Sequence, residues 1–284
     1  MTNSDYDSQT AAQRDEAAAS APTTYKRTQH PSEAGHWYDR EGNPRYTVIG
    51  KNGKERPSTI RDARANDWLP SVTSIIRLAD RPGLTAWMQR QVVLAALTHP
   101  NLTGTDADVD LILADASEQA RKAREKGTEV HAAIQSAYEG KTYATEYFHH
   151  VEMAQAAIRV WVCADVGWTA EKSFANNTLG YGGKADLSSV TIDEQAFPKD
   201  AFVADIKTTD KALDTLKTWP EHAWQLAAYR EGLGIRNARC AIVYVHTQTG
   251  EARVIELPED ELQRGWDCFR ALLQFWSAKN RRLT

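Results

Sequence analysis

The segment Val203–Thr208 is predicted to form a short β-strand, and this strand limits how the chain can fold. Successive side chains of a β-strand point to opposite faces of the sheet. The pattern therefore places Asp205 and Lys207 on one face and points Ile206 into the core. An earlier strand-like run ends at Asp186. If the two strands pair, both carboxylates and the lysine meet at one end of a sheet.

Such a group of side chains suits a hard divalent cation. Mg²⁺ binds commonly through one or two carboxylates together with waters and phosphate oxygens. A cation held there neutralises charge on a phosphate and makes a water nucleophilic near neutral pH. Lys207 would orient that water, take its proton or stabilise the developing negative charge. The pattern thus predicts phosphodiester hydrolysis.

Further segments accompany these strands. A glycine-rich run, Gly180–Ala185, leads to Asp186, and Gln225 and Tyr229 share one face of a helix predicted over Glu221–Gly232. Upstream lies Gly127–His131, within a helical pattern. In this order the segments resemble the PD-(D/E)XK nuclease superfamily, and the elements Gly127–His131 and Gln225–Tyr229 resemble its RecB-like exonuclease branch. The resemblance covers roughly residues 69–233.

The resemblance implies a set of site residues. His131, Asp186, Asp205 and the Ile206 carbonyl would hold Mg²⁺ or Mn²⁺, Lys207 would act on the water, and Gln225 and Tyr229 would contact the substrate or the site. Alone, His131 would be expected to be a core histidine. Much of the superfamily has Glu at the position of Asp205. The shorter side chain is expected to change the geometry of the metal ligands and not the activity. Glu171 is kept outside the ligand set, with a supporting role and no role both open.

The same resemblance implies an α/β fold of the restriction-endonuclease-like type, with a central mixed β-sheet flanked by helices and an N-terminal helical portion that supplies His131. Residues 1–24 have almost no large apolar side chain, which predicts a disordered tail. Residues 25–68 predict a β-hairpin or meander around Gly42-Asn43-Pro44 and Asn52-Gly53, for which packing is favoured over a substrate-facing flap. Residues 69–284 are the predicted nuclease domain.

Periodicity predicts the remaining elements. A helix is expected from Leu69 onward with Ser71 or Thr73 as its N-cap. Later helices are expected over residues 83–97, 108–138 with a bend or break at Gly127, 145–166 and from Glu259 onward. Strands are expected over residues 168–174, 239–247 and 251–257.

Composition limits the class of protein. The formal net charge is −4, so global charge does not indicate a nucleic-acid binder, although local basic residues can serve that purpose. The three cysteines are far apart and cannot form a four-cysteine iron–sulfur cluster, so no such cluster is expected and the thiols are expected to be buried. His149 and His150 are expected at the surface. No membrane-spanning run or secretion signal is evident, which predicts the bacterial or phage-infected host cytoplasm.

The predicted function is a divalent-metal-dependent DNA exonuclease of phage or bacterial recombination, repair or processing. The alternatives are a structure-specific or sequence-specific endonuclease with the same site, a non-catalytic DNA-binding protein on a nuclease fold, and a hydrolase of small phosphoesters. DNA is the expected partner. A recombinase, a single-strand-binding protein and a helicase are the candidate protein partners, because the chain has no phosphate loop of its own.

Overall fold

The computed structural model describes residues 36–80, 82–99, 101–163, 166–189 and 201–280. The tail predicted over residues 1–24 lies outside these ranges. The strands are β1 (Trp37–Tyr38), β2 (Thr47–Ile49), β3 (Glu55–Pro57), β4 (Leu69–Pro70), β5 (Trp168–Asn176), β6 (Tyr181–Ser189), β7 (Phe202–Thr209), β8 (Arg239–His246) and β9 (Ala252–Leu257). The α-helices are α1 (Ile60–Ala65), α2 (Val72–Ile76), α3 (Pro82–Leu97), α4 (Asp106–Tyr138), α5 (Phe148–Val162), α6 (Pro220–Gly232) and α7 (Glu259–Asn280).

A mixed sheet of five strands in the order β5-β6-β7-β8-β9 lies at the centre. Strands β7 and β8 run parallel, and the other neighbours are antiparallel. Parallel neighbours need a crossover connection, and α6 lies within that connection. Pro220 occupies the first turn of α6, where its missing N–H is no loss. The predicted α/β fold with a central mixed sheet is confirmed.

Helices cover both faces of this sheet. The near-continuous apolar run of β8 explains why it is buried on both sides. Val203 and Ile242 belong to the core on the side of α2, α6 and α7, whereas Ile206 and Val243 belong to the core shared with α4 and α5. Alternation along β7 therefore distributes its side chains between two helical layers.

The N-terminal strands differ partly from the prediction. The turn at Asn52-Gly53 joins β2 and β3, as expected for a meander. Strand β1 pairs instead with β4, and across the Gly42-Asn43-Pro44 turn only an isolated bridge joins Tyr38 and Pro44. The side chain of Tyr38 lies against Gly182 of β6, where an added Cβ atom would be 2.7 Å from the Tyr38 Cβ atom and 2.8 Å from its ring. This segment packs on the glycine-rich strand, as the favoured alternative required.

Several helix boundaries also differ. Ser71 caps α2 by accepting the Ser74 N–H at 3.0 Å, so this N-cap is confirmed, although the residues before it form β4. Helix α4 runs through Gly127 without a break, so the predicted interruption is wrong. Helix α5 ends at Val162 because Cys163 adopts a left-handed backbone conformation, four residues before the predicted end.

The predicted environments of His150 and of two cysteines are wrong. His150 is buried, and its Nε2 hydrogen-bonds the Thr247 carbonyl at 3.1 Å because α5 packs against β8 and β9. Cys163 and Cys268 are exposed and only Cys240 is buried, so two of the three thiols are not core residues. Among the described helices, none combines the length and apolar content needed to cross a bilayer.

The crossing of α6 and α7 offers a test of packing. A Cβ atom at Gly265 would lie 2.6 Å from the backbone carbonyl of Ala223, which cannot move without displacing α6. We expect Gly265→Ala to lower the free energy of unfolding by about 1–3 kcal/mol. Gly83→Ala is the matched control, since that Cβ would meet the Trp219 ring at an ordinary 3.6 Å. Urea denaturation that ranks Gly265→Ala as stable as Gly83→Ala would contradict this packing.

Candidate active site

The site lies where β6 separates from β7. The two strands pair at Leu187↔Ala204 and Ser188↔Val203. At Asp186, the residue of β6 that precedes Leu187, a side chain replaces the backbone pairing. The Asp186 Oδ2 accepts a hydrogen bond from the Ile206 N–H at 2.7 Å. A carboxylate thus replaces a strand partner, which satisfies a buried backbone donor and holds Asp186 in the gap.

Strand β5 has an irregularity opposite this aspartate. Ala170 pairs with Leu187 and Lys172 with Ala185, so Glu171 stands across from Asp186. Glu171 has a φ of 53°, a left-handed conformation that costs an L-residue on the order of 1–2 kcal/mol. Ala170 and Leu187 pack in the core beneath α4 and α5, whereas Ala185 packs in the opposite core. The hairpin therefore changes face at Glu171 and Asp186.

Helix α4 brings His131 to the same place. Its Nε2 lies 3.1 Å from Asp186 Oδ2. One turn earlier, Gly127 approaches β7 so closely that a Cβ atom would lie 2.5 Å from Thr208 Oγ1. The absence of a side chain at Gly127 therefore lets α4 approach β7, and the position of His131 depends on this close approach.

Asp205 and Lys207 share one face of β7, as the alternation predicts. Asp205 is 1% exposed, and its Oδ2 lies 2.5 Å from the Lys207 ammonium. Its Oδ1 accepts a hydrogen bond of 2.9 Å from the Gln225 amide, which also donates to the buried Tyr229 hydroxyl at 2.8 Å. Gln225 therefore joins the site through Asp205, and Tyr229 holds that amide.

The donor atoms gathered for a cation differ in part from the predicted set. One ligand atom each from His131, Glu171 and Asp186 lies within 4.8 Å of the others. Glu171, which the sequence analysis kept outside the ligand set, also forms an ion pair with Lys184. Asp205 lies outside this group of three and is held by Lys207 and Gln225. Ile206 contributes its N–H to Asp186, and the role of its carbonyl as a ligand stays a prediction.

Burial and charge act in opposite directions on the ionisable groups. Burial raises the pKa of Asp205 to about 6, against the effect of the Lys207 ammonium and with a further increase from Asp186. At Asp186 burial is outweighed by His131, Lys207 and the Ile206 N–H, so the pKa of Asp186 is lowered. Burial lowers the pKa values of His131 and Lys207, but the neighbouring carboxylates raise both above their ordinary values.

These donors fit a divalent ion. Carboxylate oxygens suit Mg²⁺, and an imidazole nitrogen also makes Mn²⁺ acceptable. Each carboxylate has a cationic neighbour in the absence of metal: His131 for Asp186, Lys184 for Glu171 and Lys207 for Asp205. Three carboxylates that are buried close together need positive charge nearby, and a bound cation would supply more of it.

The sequence patterns did not predict that Glu171 and Lys184 form an ion pair beside Asp186. A signal was present, because Glu171 lies in a strand that pairs with the glycine-rich run and Lys184 belongs to that run. The left-handed conformation of Glu171 turns this residue toward Asp186. The alternating pattern of β5 does not predict this conformation, because alternation describes a regular strand.

The contact between Gly127 and Thr208 can be tested directly. Gly127→Ala should lower the free energy of unfolding by about 1–3 kcal/mol, because the stiff β-branched Thr208 cannot easily turn its hydroxyl away. Removing that hydroxyl leaves the Thr208 Cβ at 3.5 Å, an ordinary contact. The double variant Gly127→Ala/Thr208→Ala should therefore recover most of the loss in thermal unfolding. If the losses in stability of the two single variants simply added in the double variant, the contact between Gly127 and Thr208 would not be the cause of the loss.

The position of Glu171 predicts an effect on metal affinity. Glu171→Gln keeps the shape of the side chain and removes the charge, so calorimetric titration with Mn²⁺ should show affinity reduced about tenfold, as for other supporting ligands. Glu139→Gln is the control, because Glu139 lies outside the group of three donors. Equal Mn²⁺ affinity for Glu171→Gln and the unaltered protein would remove Glu171 from the cation site.

No protein-family model matches the sequence, and no curated protein matches it. A crystal structure from Eubacterium rectale named "Putative exonuclease" is 14% identical, with a TM-score of 0.38 over 56% of this chain and 69% of that one. A second solved structure, of SSO0001, is 14% identical, with a TM-score of 0.25 over 65% of this chain and 85% of that one. Both similarities are distant.

Proposed function

We propose that this protein is a divalent-metal-dependent nuclease that hydrolyses phosphodiester bonds in DNA. The observation that carries the proposal is the convergence of His131, Asp186, Asp205 and Lys207 at the gap between β6 and β7. The order of these residues, followed by Gln225 on α6, resembles the RecB-like branch of the PD-(D/E)XK nucleases. His131 and Lys207 are 76 residues apart in the sequence. Their convergence in the fold supports the interpretation that these residues form one site.

The chemistry follows from the charges. His131, Asp186 and the neighbouring carboxylates would hold a divalent ion, which would supply positive charge to the phosphate and lower the pKa of a bound water. Lys207 lies beside Asp205 with a raised pKa, so its ammonium donates hydrogen bonds to the attacking water or to the oxygen on which charge develops. Gln225 keeps Asp205 oriented through its hydrogen bond. By the resemblance to the RecB-like branch, the expected products are a 5′-phosphate and a free 3′-hydroxyl.

An exonuclease is favoured over an endonuclease on the resemblance to the RecB-like branch. The intact set of Asp186, Asp205 and Lys207 disfavours a non-catalytic DNA-binding protein, which has no need of all three. A recombinase, a single-strand-binding protein or a helicase remains the proposed protein partner, and the cytoplasm of a bacterium or infected host the proposed compartment.

The decisive test compares end-labelled linear DNA with covalently closed circular DNA, in Mg²⁺, Mn²⁺ or EDTA. We expect loss of the linear DNA alone, dependent on metal. Lys207→Ala should reduce the rate at least about a hundredfold, because one preorganised charge at a developing anion contributes roughly that much. Lys211→Ala, at an exposed lysine shortly after β7, should cleave normally.

Other outcomes lead to other functions. Cleavage of the circle would make the protein an endonuclease. Turnover of mononucleotide esters with no dependence on polymer length would indicate a small-phosphoester hydrolase. Tight DNA binding without cleavage would support a non-catalytic role, and normal cleavage by Lys207→Ala would show that the assigned site is wrong.

A further inference from the structure

Lys184 forms an ion pair with one of the residues whose donor atoms fit a divalent ion. Its ammonium lies on a carboxylate oxygen of Glu171, and that carboxylate belongs with His131 and Asp186 to the group of donors within 4.8 Å of one another. A positive charge on this carboxylate weakens its attraction for a second cation, and the two cations also repel each other. Lys184 and a divalent ion therefore compete for Glu171.

The backbone holds Glu171 in place without the help of Lys184. The residues on either side of it, Ala170 and Lys172, both pair with β6. The left-handed conformation of Glu171 is fixed between these two pairs. The ion pair with Lys184 therefore adds charge beside Glu171 more than it positions the residue.

The balance of charge in the candidate site indicates that one ammonium group has to withdraw when a divalent ion binds. The site contains three carboxylates and two ammonium groups, those of Glu171, Asp186 and Asp205 and those of Lys184 and Lys207. When all five groups are ionised they leave a net charge of −1, and a histidine that binds a metal is neutral. A divalent ion would change the total to +1. Because an uncompensated buried charge is unfavourable, the loss of one ammonium group would favour binding.

The partners of the two lysines show which ammonium can withdraw. The lysine side chains are similarly exposed, at 31% for Lys184 and 34% for Lys207, so both ammonium groups can reach water. Lys207 is paired with Asp205, which is almost fully buried and lies outside the group of three donors. Lys184 is paired with Glu171, whose charge a bound ion would itself offset. Withdrawal of Lys184 therefore leaves no carboxylate uncompensated, whereas withdrawal of Lys207 would.

We propose that Lys184 is an internal competitor of the divalent ion, with its ammonium on Glu171 in the metal-free protein and turned to solvent when the ion is bound. This inference rests on the metal site of the proposed function, and it assigns to Lys184 the control of the affinity of that site. Without metal, the ion pair offsets the burial of Glu171. The protein thus gains stability in the metal-free state and loses metal affinity.

A supporting role for Lys184 predicts the opposite effect on metal binding. If Lys184 held Glu171 in position for the ion, removal of its charge would weaken binding, as the loss of a residue that orients a metal ligand does by about ten- to a hundredfold. Pairing of both neighbours of Glu171 with β6 favours competition. The sign of the change in affinity therefore decides between the two roles.

Calorimetric titration of the metal-free protein with Mn²⁺, at fixed pH and salt, measures this sign. Lys184→Met keeps the length of the side chain and removes its charge, and we expect it to raise the Mn²⁺ affinity about tenfold, the size of effect common beside metal ligands. Lys184→Arg keeps the charge and should bind Mn²⁺ much as the unaltered protein does. Lys172→Met is the matched control, because it removes a charge from an exposed residue next to Glu171 in the sequence and should leave the affinity unchanged.

Two further measurements test whether Glu171 is the group for which Lys184 and the ion compete. In a Glu171→Gln background, Lys184→Met should change the Mn²⁺ affinity little, because the contested charge is gone, and a double-mutant cycle measures this coupling. In thermal unfolding without metal, Lys184→Met should have a lower melting temperature than the unaltered protein. Saturating Mn²⁺ should remove most of that difference, because the bound ion replaces the missing ammonium.

The outcomes separate this inference from the proposed function. Equal or weaker Mn²⁺ binding by Lys184→Met, in a protein that cleaves DNA, would overturn the inference alone. An equal gain in Lys172→Met would make the effect one of general charge and would also overturn the inference. A gain specific to Lys184→Met in a protein that cleaves no DNA would uphold the competition and reject the nuclease. Absence of Mn²⁺ binding by the unaltered protein would overturn both.

Discussion

The hydrogen bond from the Ile206 N–H to the Asp186 carboxylate determines how the site is built. A regular antiparallel pair would give that donor a backbone carbonyl of β6, and the two strands would stay closed. Because a side-chain carboxylate accepts it at 2.7 Å, β6 leaves β7 without leaving a buried donor unsatisfied. The separation exposes the edge at which His131, Glu171 and Lys207 gather. Sheet geometry and site chemistry thus depend on one interaction.

Regular patterns could be predicted from sequence, and the departures from them could not. The alternation of side chains along a strand correctly placed Asp205 and Lys207 on one face of β7, and the strand expected over residues 239–247 is present as β8. Alternation fails at Glu171, where a left-handed residue turns the hairpin over and brings a third carboxylate beside Asp186. A residue other than Gly in this conformation is stabilised by its surroundings, and those come from distant parts of the chain.

The two interpretations of histidine show what context adds. His131 and His150 both lie on amphipathic helices, and neither position reveals its environment by periodicity alone. His131 was placed by the motif around it, and the structure brings it to 3.1 Å from Asp186. His150 had no motif and was wrongly assigned to the surface, because the packing of α5 on β8 depends on tertiary contacts. A bend or break was predicted at Gly127 for the same reason: a pattern along the helix does not show Thr208 facing Gly127 from another element.

Local charge compensation explains how a chain with a net charge of −4 can maintain such a site. Isolated buried carboxylates would become protonated, and the raised pKa of Asp205 shows that tendency. Lys207, His131 and Lys184 each stand beside one of the three carboxylates, so basic side chains of the protein offset the burial of these carboxylates. Loss of one partner of a buried pair costs more than the pair itself contributes, because the remaining charge is left uncompensated. The same arrangement that prepares the carboxylates for a divalent ion therefore also makes each lysine a structural partner, because each lysine offsets the charge of a carboxylate that is largely removed from water.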